Sequence, residues 1–291
     1  MASPTLHDAT SAPPQPTRRA RTRLLAVTTV VIVGCGVLLW ILAWYAVQTT
    51  SGQRLDSAAM DSVDGSTTAM MTLPNALQTI SIGTAAVGLA VCVALALLRR
   101  RYEHALGAVM LVAGANVSTQ LLKYQVLDRP DLGVGYAIPN SLPSGHTTVV
   151  ISLVLAALLV APRAWRALVA ALGTAGIVIT GAATVVTEWH RPSDVLAAFL
   201  VTLIWGAIVV LVLGWRNPTP AAVSGSARTI ASGAVAIGSA ALAGVLLIGI
   251  GVRPDDGWAD LELAATMLAA IGVVSATCVG TFARLSATYT P

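Results

Sequence analysis

Two histidines and an aspartate stand in short motifs that are typical of helix starts. His146 ends the sequence Pro143-Ser-Gly-His, and His190 stands four residues before Asp194, with Pro192 between them. At the start of a helix, this four-residue spacing lets the aspartate accept the Nδ1–H of the imidazole. Nε2 then keeps its lone pair, which is the form that a nucleophile needs, and we expect His146 to act as a general acid.

The residues around these motifs predict a site for an anion. Ser144 and Gly145 stand at the start of a long apolar segment, where a helix would present unpaired N–H groups and the positive end of its dipole. Lys123 and Arg129 lie at and just past the end of the preceding apolar segment, and Pro130 discourages further helix there. Helix starts, cations and imidazoles could together surround one phosphate group, whose transfer depends mainly on positioned N–H and cationic donors.

The composition is that of an integral membrane protein. Of the 291 residues, 56% are apolar and 10% are charged, whereas about 25% are charged in soluble domains. Eight apolar segments each approach the roughly 20 residues that a helix needs to cross a bilayer. They are residues 24–47, 76–98, 105–122, 145–161, 167–187, 195–213, 229–252 and 263–282. Because helices satisfy their own backbone groups, we predict an all-α, polytopic membrane helix bundle of eight spans.

The charges between the segments predict the orientation of the chain. Of its 17 basic residues, 12 fall on the side that holds the N-terminus and five on the other. By the positive-inside rule both termini are cytoplasmic, and the two histidine motifs are extracytoplasmic. We divide the chain into a disordered cytoplasmic tail at residues 1–23, a six-span core at 24–214, a cytoplasmic linker at 215–228, and two additional spans with a short tail at 229–291.

Other partners and cofactors are disfavoured. The basic residues form short clusters and not one face, so nucleic-acid binding is not expected. The three cysteines each lie alone in an apolar segment, and no set of His, Asp, Glu or Cys argues for a metal or another cofactor. The external loop from Gln48 to Asn75 is long enough to form a lid over the site, and is equally compatible with an ordered cap.

At these motifs the sequence resembles the type-2 phosphatidic acid phosphatase superfamily, in its membrane branch of lipid phosphate phosphatases. The family pattern is Lys-x6-Arg-Pro, Pro-Ser-Gly-His and Ser-Arg-x5-His-x3-Asp on a six-helix core, and the resemblance spans about residues 24–214. The chain contains Pro-Ser-Gly-His and His-x3-Asp in full. However, only five residues separate Lys123 from Arg129, and Ala183 and Thr184 stand where the family has Ser-Arg.

The resemblance implies a phosphohistidine mechanism. His190 would attack phosphorus, Asp194 would orient the His190 imidazole, and His146 would protonate the leaving oxygen. The phosphate would be held by Lys123, Arg129, Ser144 and the Gly145 N–H. Arg191 is our candidate replacement for the missing arginine, because it stands beside His190.

The resemblance therefore predicts a phosphatase of lipid phosphates or diphosphates, of the polyprenyl or phosphatidate type, at the extracytoplasmic face of a bacterial plasma membrane. Its partners would be the lipid substrate and the bilayer, and the sequence gives no indication of oligomeric state. Two alternatives stay open. The phosphohistidine could pass its phosphate to a lipid or glycan hydroxyl in a phosphotransferase, or the protein could be a degenerate phosphatase that only binds lipid, as the missing arginine would allow.

Overall fold

The described part of the chain is an all-α bundle of apolar helices. A computed structural model describes residues 18–134, 139–216 and 226–289. The helices long and apolar enough to cross a membrane are α1 (Arg18–Gln48), α5 (Tyr102–Leu121, continued by a π-helical turn at Leu122–Val126), α7 (Arg166–Val186), α8 (Pro192–Arg216) and α10 (Leu261–Tyr289). Two more apolar helices, α6 (Gly145–Val160) and the Ala234–Gly249 part of α9 (Ser226–Gly249), are shorter. The predicted all-α membrane bundle is confirmed.

The segment expected to form the second span is a broken pair of helices. It consists of α3 (Thr67–Thr79) and α4 (Ile82–Leu98), which meet at an angle of 60°. The break arises because Ile80 is extended and Ser81 starts a new helix, forming a reciprocal capping box with Thr84. The eight expected spans therefore correspond to five full-length helices, this broken pair and two shorter helices.

The external loop between Gln48 and Asn75 is folded. It contains α2 (Thr50–Asp61), the strand β1 (Val63–Gly65) and the start of α3. β1 pairs antiparallel with β2 (Val252–Pro254), the strand that connects α9 with α10. Ser66 strengthens this link by donating hydrogen bonds from its N–H to Gly251 O and from its hydroxyl to Ile250 O, both at 2.9 Å. The loop is thus tied to the last pair of helices.

The predicted boundaries of the four regions can be compared with the structure only in part. α1 begins at Arg18, earlier than the expected start at residue 24. The remainder of the predicted tail, residues 1–17, lies outside the described residues, and so do residues 217–225 of the predicted linker.

The last two helices pack against the rest of the bundle. Both α9 and α10 contact α7, and α10 also contacts α8 and α6. Phe282 of α10 is fully buried. A Cβ added at Gly206 of α8 would come within 2.9 Å of the Phe282 ring, so the missing side chain makes room for this close approach.

Polar side chains of α5 hold it against its neighbours. Asn116 donates to the Ser152 hydroxyl of α6 at 3.1 Å, and the hydroxyls of Thr119 and Thr148 lie 3.0 Å apart. On another face, the α8 indole N–H of Trp205 donates to the Ser118 hydroxyl at 3.0 Å. Such interhelical hydrogen bonds fix the axial positions of helices in a membrane, and here they fix α5, α6 and α8, which lead to the candidate site.

Candidate active site

The starts of two helices meet at one end of the bundle. Ser144, which caps α6, donates its backbone N–H to the carbonyl of Asp194 in the first turn of α8, at 2.9 Å. The α6 cap is completed by Thr147, whose N–H and hydroxyl both donate to the Ser144 hydroxyl oxygen at 3.4 and 3.0 Å. The two predicted motifs therefore lie side by side, and we call this end of the bundle the site end.

His190 is held in a defined orientation just before α8. Its backbone N–H donates to the carbonyl of Thr184 at 2.9 Å. Its Nδ1 lies 3.0 Å from Oδ2 of Asp194, so the contact predicted from the four-residue spacing is present. Both side chains are buried. With Nδ1 bound to the carboxylate, Nε2 is the ring nitrogen left for chemistry.

The Asp194 carboxylate is fixed by three partners. Oδ2 faces His190 Nδ1 and also accepts from the Ser141 hydroxyl at 2.6 Å and from the Arg191 N–H at 3.0 Å. Hydrogen bonds to an ionised acceptor are short and strong. They hold the carboxylate in the position from which it orients the imidazole. Ser141 has no part in the sequence motifs.

His146 faces His190 across the site. The two ring centroids are 6.1 Å apart, and the Trp189 ring lies 5.4 Å from His146 on another side. His146 is half-buried in the first turn of α6. Two imidazoles at this separation leave room for a small group between them, as an attacking base and a proton donor require.

Arg191 is buried with part of its guanidinium unpartnered. Its side chain donates from one terminal nitrogen to the Ser141 hydroxyl at 3.3 Å, and the residue is only 3% exposed. Its Nε is buried and has no hydrogen-bond partner among the residues that the structure describes. Buried polar atoms without a partner are rare, and an N–H donor of this kind next to His190 is suited to an anion.

The other two predicted cations lie at the edges of the site. Arg129 is half-buried, donates to Ala46 O at 3.4 Å and lies within electrostatic range of Arg191. Burial and that neighbouring arginine lower the pKa of Arg129. Lys123 lies in the π-helical turn, close enough to His146 to interact electrostatically. Both follow the end of α5, as the sequence predicts.

A side chain that the motifs do not include holds the loop that carries these cations. The amide nitrogen of Asn140 donates to the carbonyls of Lys123 and Leu127, at 3.1 and 3.2 Å. Gln53 of α2 donates to Pro130 O at 3.0 Å. These contacts fix the path of the chain around the two cations.

The position of the missing arginine is filled by a small, buried residue. Thr184 is fully buried near the end of α7, and its hydroxyl donates to Gly181 O at 2.8 Å. Its carbonyl accepts the N–H groups of Trp189 and His190. Thr184 thus shapes the turn before His190 but offers the site no cation, whereas Arg191 does.

Asp56 is a residue of the site that sequence reasoning missed. It lies in α2, and its carboxylate accepts the backbone N–H of Ser193 at 3.0 Å and the Ser193 hydroxyl at 2.5 Å. Burial, with the nearby Asp194 adding to it, raises the pKa of Asp56 to about 6. No pattern in the chain links two residues 137 positions apart, so no sequence signal could have found this contact.

The Gly145 backbone is not tightly covered by side chains. A Cβ at this position would come no closer than 3.7 Å to Gln120, which is an ordinary van der Waals contact. Among the described residues, no three His, Cys, Asp or Glu side chains are grouped as metal ligands.

A part of the chain matches a known protein family. Residues 105–218 match the model of the PAP2 superfamily, which is the type-2 phosphatidic acid phosphatase superfamily. The match is less than half of the chain. It begins at α5 and includes every motif residue described above, whereas the predicted resemblance started at residue 24. No curated protein and no solved structure matches the chain significantly.

Proposed function

We propose that the protein is a membrane phosphatase that acts on lipid phosphates or diphosphates of the polyprenyl or phosphatidate type, because residues 105–218 match the model of the PAP2 superfamily. Members of this superfamily are phosphatases acting on phosphate esters, often those of lipids. The observation that carries the proposal is the pair of His190 and Asp194, joined at 3.0 Å, with the His146 ring 6.1 Å from that of His190.

The reaction proceeds in two displacements at phosphorus. In the first, Nε2 of His190 attacks phosphorus, the bond from phosphorus to the lipid oxygen breaks, and protonated His146 gives its proton to that oxygen. In the second, water attacks the phosphohistidine, His146 takes a proton from the water, and the phosphorus–nitrogen bond breaks to release inorganic phosphate. Asp194 stabilises the positive charge that His190 carries between these steps.

The unpartnered Nε of Arg191 supports phosphate binding at this site. Phosphoryl transfer spreads negative charge over the equatorial oxygens, and positioned donors stabilise that charge. Arg191 Nε and the first-turn N–H groups of α6 supply such donors next to His190. Arg129 adds a second guanidinium and Lys123 an ammonium group near His146.

The apolar helices and the distribution of basic residues support a lipid substrate taken from the extracytoplasmic leaflet of a bacterial plasma membrane. The site end carries the minority of the basic residues, which is typical of the extracytoplasmic side. A lipid can present its phosphate at this end while its tail stays among the exposed apolar side chains of the bundle. Phosphate release from substrate confined to the outer leaflet of right-side-out vesicles tests whether the site is extracytoplasmic.

The central experiment is phosphate release by the detergent-purified protein from polyprenyl diphosphates and phosphatidate. His190→Ala should abolish release, while His7→Ala, a matched change at a histidine that no step uses, should leave it intact. Substrate labelled in the phosphate should also leave acid-labile, base-stable label on the wild-type protein and none on His190→Ala. Equal background release and no label in all three proteins would contradict the proposal.

The same experiment separates the alternatives. The Thr184 position, which lacks the family arginine, favours a protein that binds lipid phosphate without turnover. That protein would bind the substrate without becoming labelled. A phosphotransferase would become labelled at His190 but would release its phosphate efficiently only when an alcohol acceptor is added.

A further inference from the structure

A second group of cations lies at the opposite end of the bundle. There the connection between α4 and α5 meets the connection between α6 and α7, because an Arg99 terminal nitrogen donates to Val160 O at 2.7 Å. Arg101, Arg163 and Arg166 lie within electrostatic range of one another. We call Arg99, Arg101, Arg163 and Arg166, together with His104, the basic cluster.

The basic cluster is far from neutral. Glu103 is an acidic group within electrostatic range of His104. Arg166 is anchored in the bundle, where it donates to Ala283 O at 3.3 Å and to the Ser286 hydroxyl. Burial and the neighbouring Arg99 and Arg163 lower the pKa of Arg101. Like charges that are held together and partly desolvated repel one another, and a bound anion would relieve that repulsion.

Hydrogen-bonding groups within the cluster lack partners. Nε2 of His104 is buried with no hydrogen-bond partner among the described residues. The helices α5 and α7 both begin here, and neither Arg101 nor Trp165 caps its helix with a side chain. The first-turn N–H groups and the positive dipole ends of both helices therefore face the cluster. An orphaned imidazole nitrogen, uncapped helix starts and four guanidinium groups together fit a phosphate.

The rim of the cluster is apolar and exposed. Leu98, Tyr102 and Trp165 are 82, 65 and 59% exposed, and Leu168 follows on the outer face of α7 at 45%. Aromatic rings at helix ends are typical of the membrane interface. A soluble phosphate would gain nothing from these side chains, whereas acyl chains would cover them.

We propose that the basic cluster binds the phosphodiester headgroup of an anionic phospholipid, with its acyl chains against the exposed face of α4 and α7. Phosphatidylglycerol has the required chemistry, namely one phosphodiester charge without a compensating amine. Basic pockets between membrane helices recognise anionic lipid headgroups in this way. The site does not depend on the His190 reaction, since it lies at the other end of the bundle.

Lipid binding to the purified protein tests the proposal. Nanodisc-released protein is titrated with short-chain phosphatidylglycerol or phosphatidylcholine, and bound lipid is counted by native mass spectrometry. The variant is Arg101→Gln with Arg163→Gln, which spares the anchored Arg99 and Arg166. The control is Arg23→Gln with Arg216→Gln, which removes two exposed charges from the same end of the bundle. Circular dichroism and size-exclusion profiles establish that each protein is folded.

We expect the wild type and the control to prefer phosphatidylglycerol, and the cluster variant to bind it at least tenfold more weakly, as the loss of two arginines near an anionic surface predicts. Equal weakening in the cluster variant and the control would overturn the proposal in favour of general surface charge. If millimolar inorganic phosphate raises the unfolding temperature of the wild type as much as the lipid does, and this rise is lost in the cluster variant, the lipid assignment is overturned in favour of a free anion. Phosphate bound at the His190 site would raise the unfolding temperature of both proteins equally. Should the double variant not fold, the exposed Arg163→Gln alone replaces it under the same criteria.

Discussion

The Arg191 side chain is buried in the protein. Burial of a charged guanidinium costs free energy unless other groups compensate its charge. Part of the compensation is visible, because Ser141 accepts from one terminal nitrogen and both Asp56 and Asp194 lie nearby. Nε has no acceptor. A bound phosphate would supply it, so the enclosed guanidinium is understandable as one half of an ion pair whose other half is the substrate.

Replacement of Arg191 should therefore impair turnover more than folding. We expect Arg191→Gln to lower kcat/KM for phosphate release about 100-fold, the usual effect of losing one donor to transition-state charge. Arg191→Lys should recover only part of this, because an ammonium keeps the charge but not the planar set of donors. The measurement is steady-state phosphate release, together with inhibition by inorganic phosphate.

Arg253→Gln is the matched control for this experiment. Arg253 lies at the same end of the bundle, with its side chain 65% exposed, and approaches Asp64 to 3.6 Å. Exposed ion pairs contribute little, so this variant should keep wild-type kinetics. Full turnover and unchanged phosphate inhibition in Arg191→Gln would show that Arg191 does not replace the missing arginine.

The sequence predicts the residues whose contacts are local. His190 and Asp194 could be paired because a four-residue spacing at a helix start determines their contact directly. Ser141 could not be predicted, since it reaches Asp194 across 53 residues of chain and belongs to no motif. The burial of Arg191 Nε likewise results from packing between elements that are distant in the sequence. The sequence suggested Arg191 only because it stands beside His190.

Among the elements of the external loop, α2 contacts the site through α8. The sequence left its role open between a lid and an ordered cap, because a short polar segment has neither the length nor the periodicity of a span. In the structure α2 contacts α8 through Asp56 and Ser193, and Gln53 of α2 also donates to Val47 O at 2.8 Å. α2 therefore holds the first turn of α8, which carries Asp194.

The buried Asp56 carboxyl predicts a pH-dependent contribution to stability. Its pKa is raised from 3.8 to about 6, so the folded state binds this proton more tightly than the unfolded chain does. The associated stability is present below pH 4 and is lost as the pH rises through 6, by up to about 3 kcal/mol. Relative to the wild type, Asp56→Asn should thus become more stable as the pH rises from 4 to 7.

Unfolding temperatures in detergent between pH 4 and 7 measure this difference. Other titrating groups are common to both proteins and largely cancel. Asp61→Asn is the control, because Asp61 is exposed at the end of the same helix, and its difference from the wild type should stay flat. A flat difference for Asp56→Asn as well would mean that Asp56 is not buried against Ser193.

At the scale of the whole molecule, the two C-terminal helices are part of the same core as the site. They lie outside the matched family segment, and the sequence separates them by a polar linker. Yet β2 pairs with β1 next to α2, and α10 contacts both α7 and α8. Apolar segments locate most of the long helices but not their neighbours, because lipid and protein favour the same side chains. This is why the sequence could not predict the packing.

A core shared by all helices predicts that damage in α10 is transmitted to the site. Phe282 is fully buried on α10 against Gly206 of α8, so Phe282→Ala should leave a cavity that costs about 3 kcal/mol. If α8 depends on this packing, the temperature at which phosphate release is irreversibly lost should fall together with the unfolding temperature. Val273→Ala, at a position on α10 that is 65% exposed, should change neither.

An unfolding temperature that falls in Phe282→Ala while the inactivation temperature stays at the wild-type value would mean that the last two helices unfold separately. The site would then need only the helices before them.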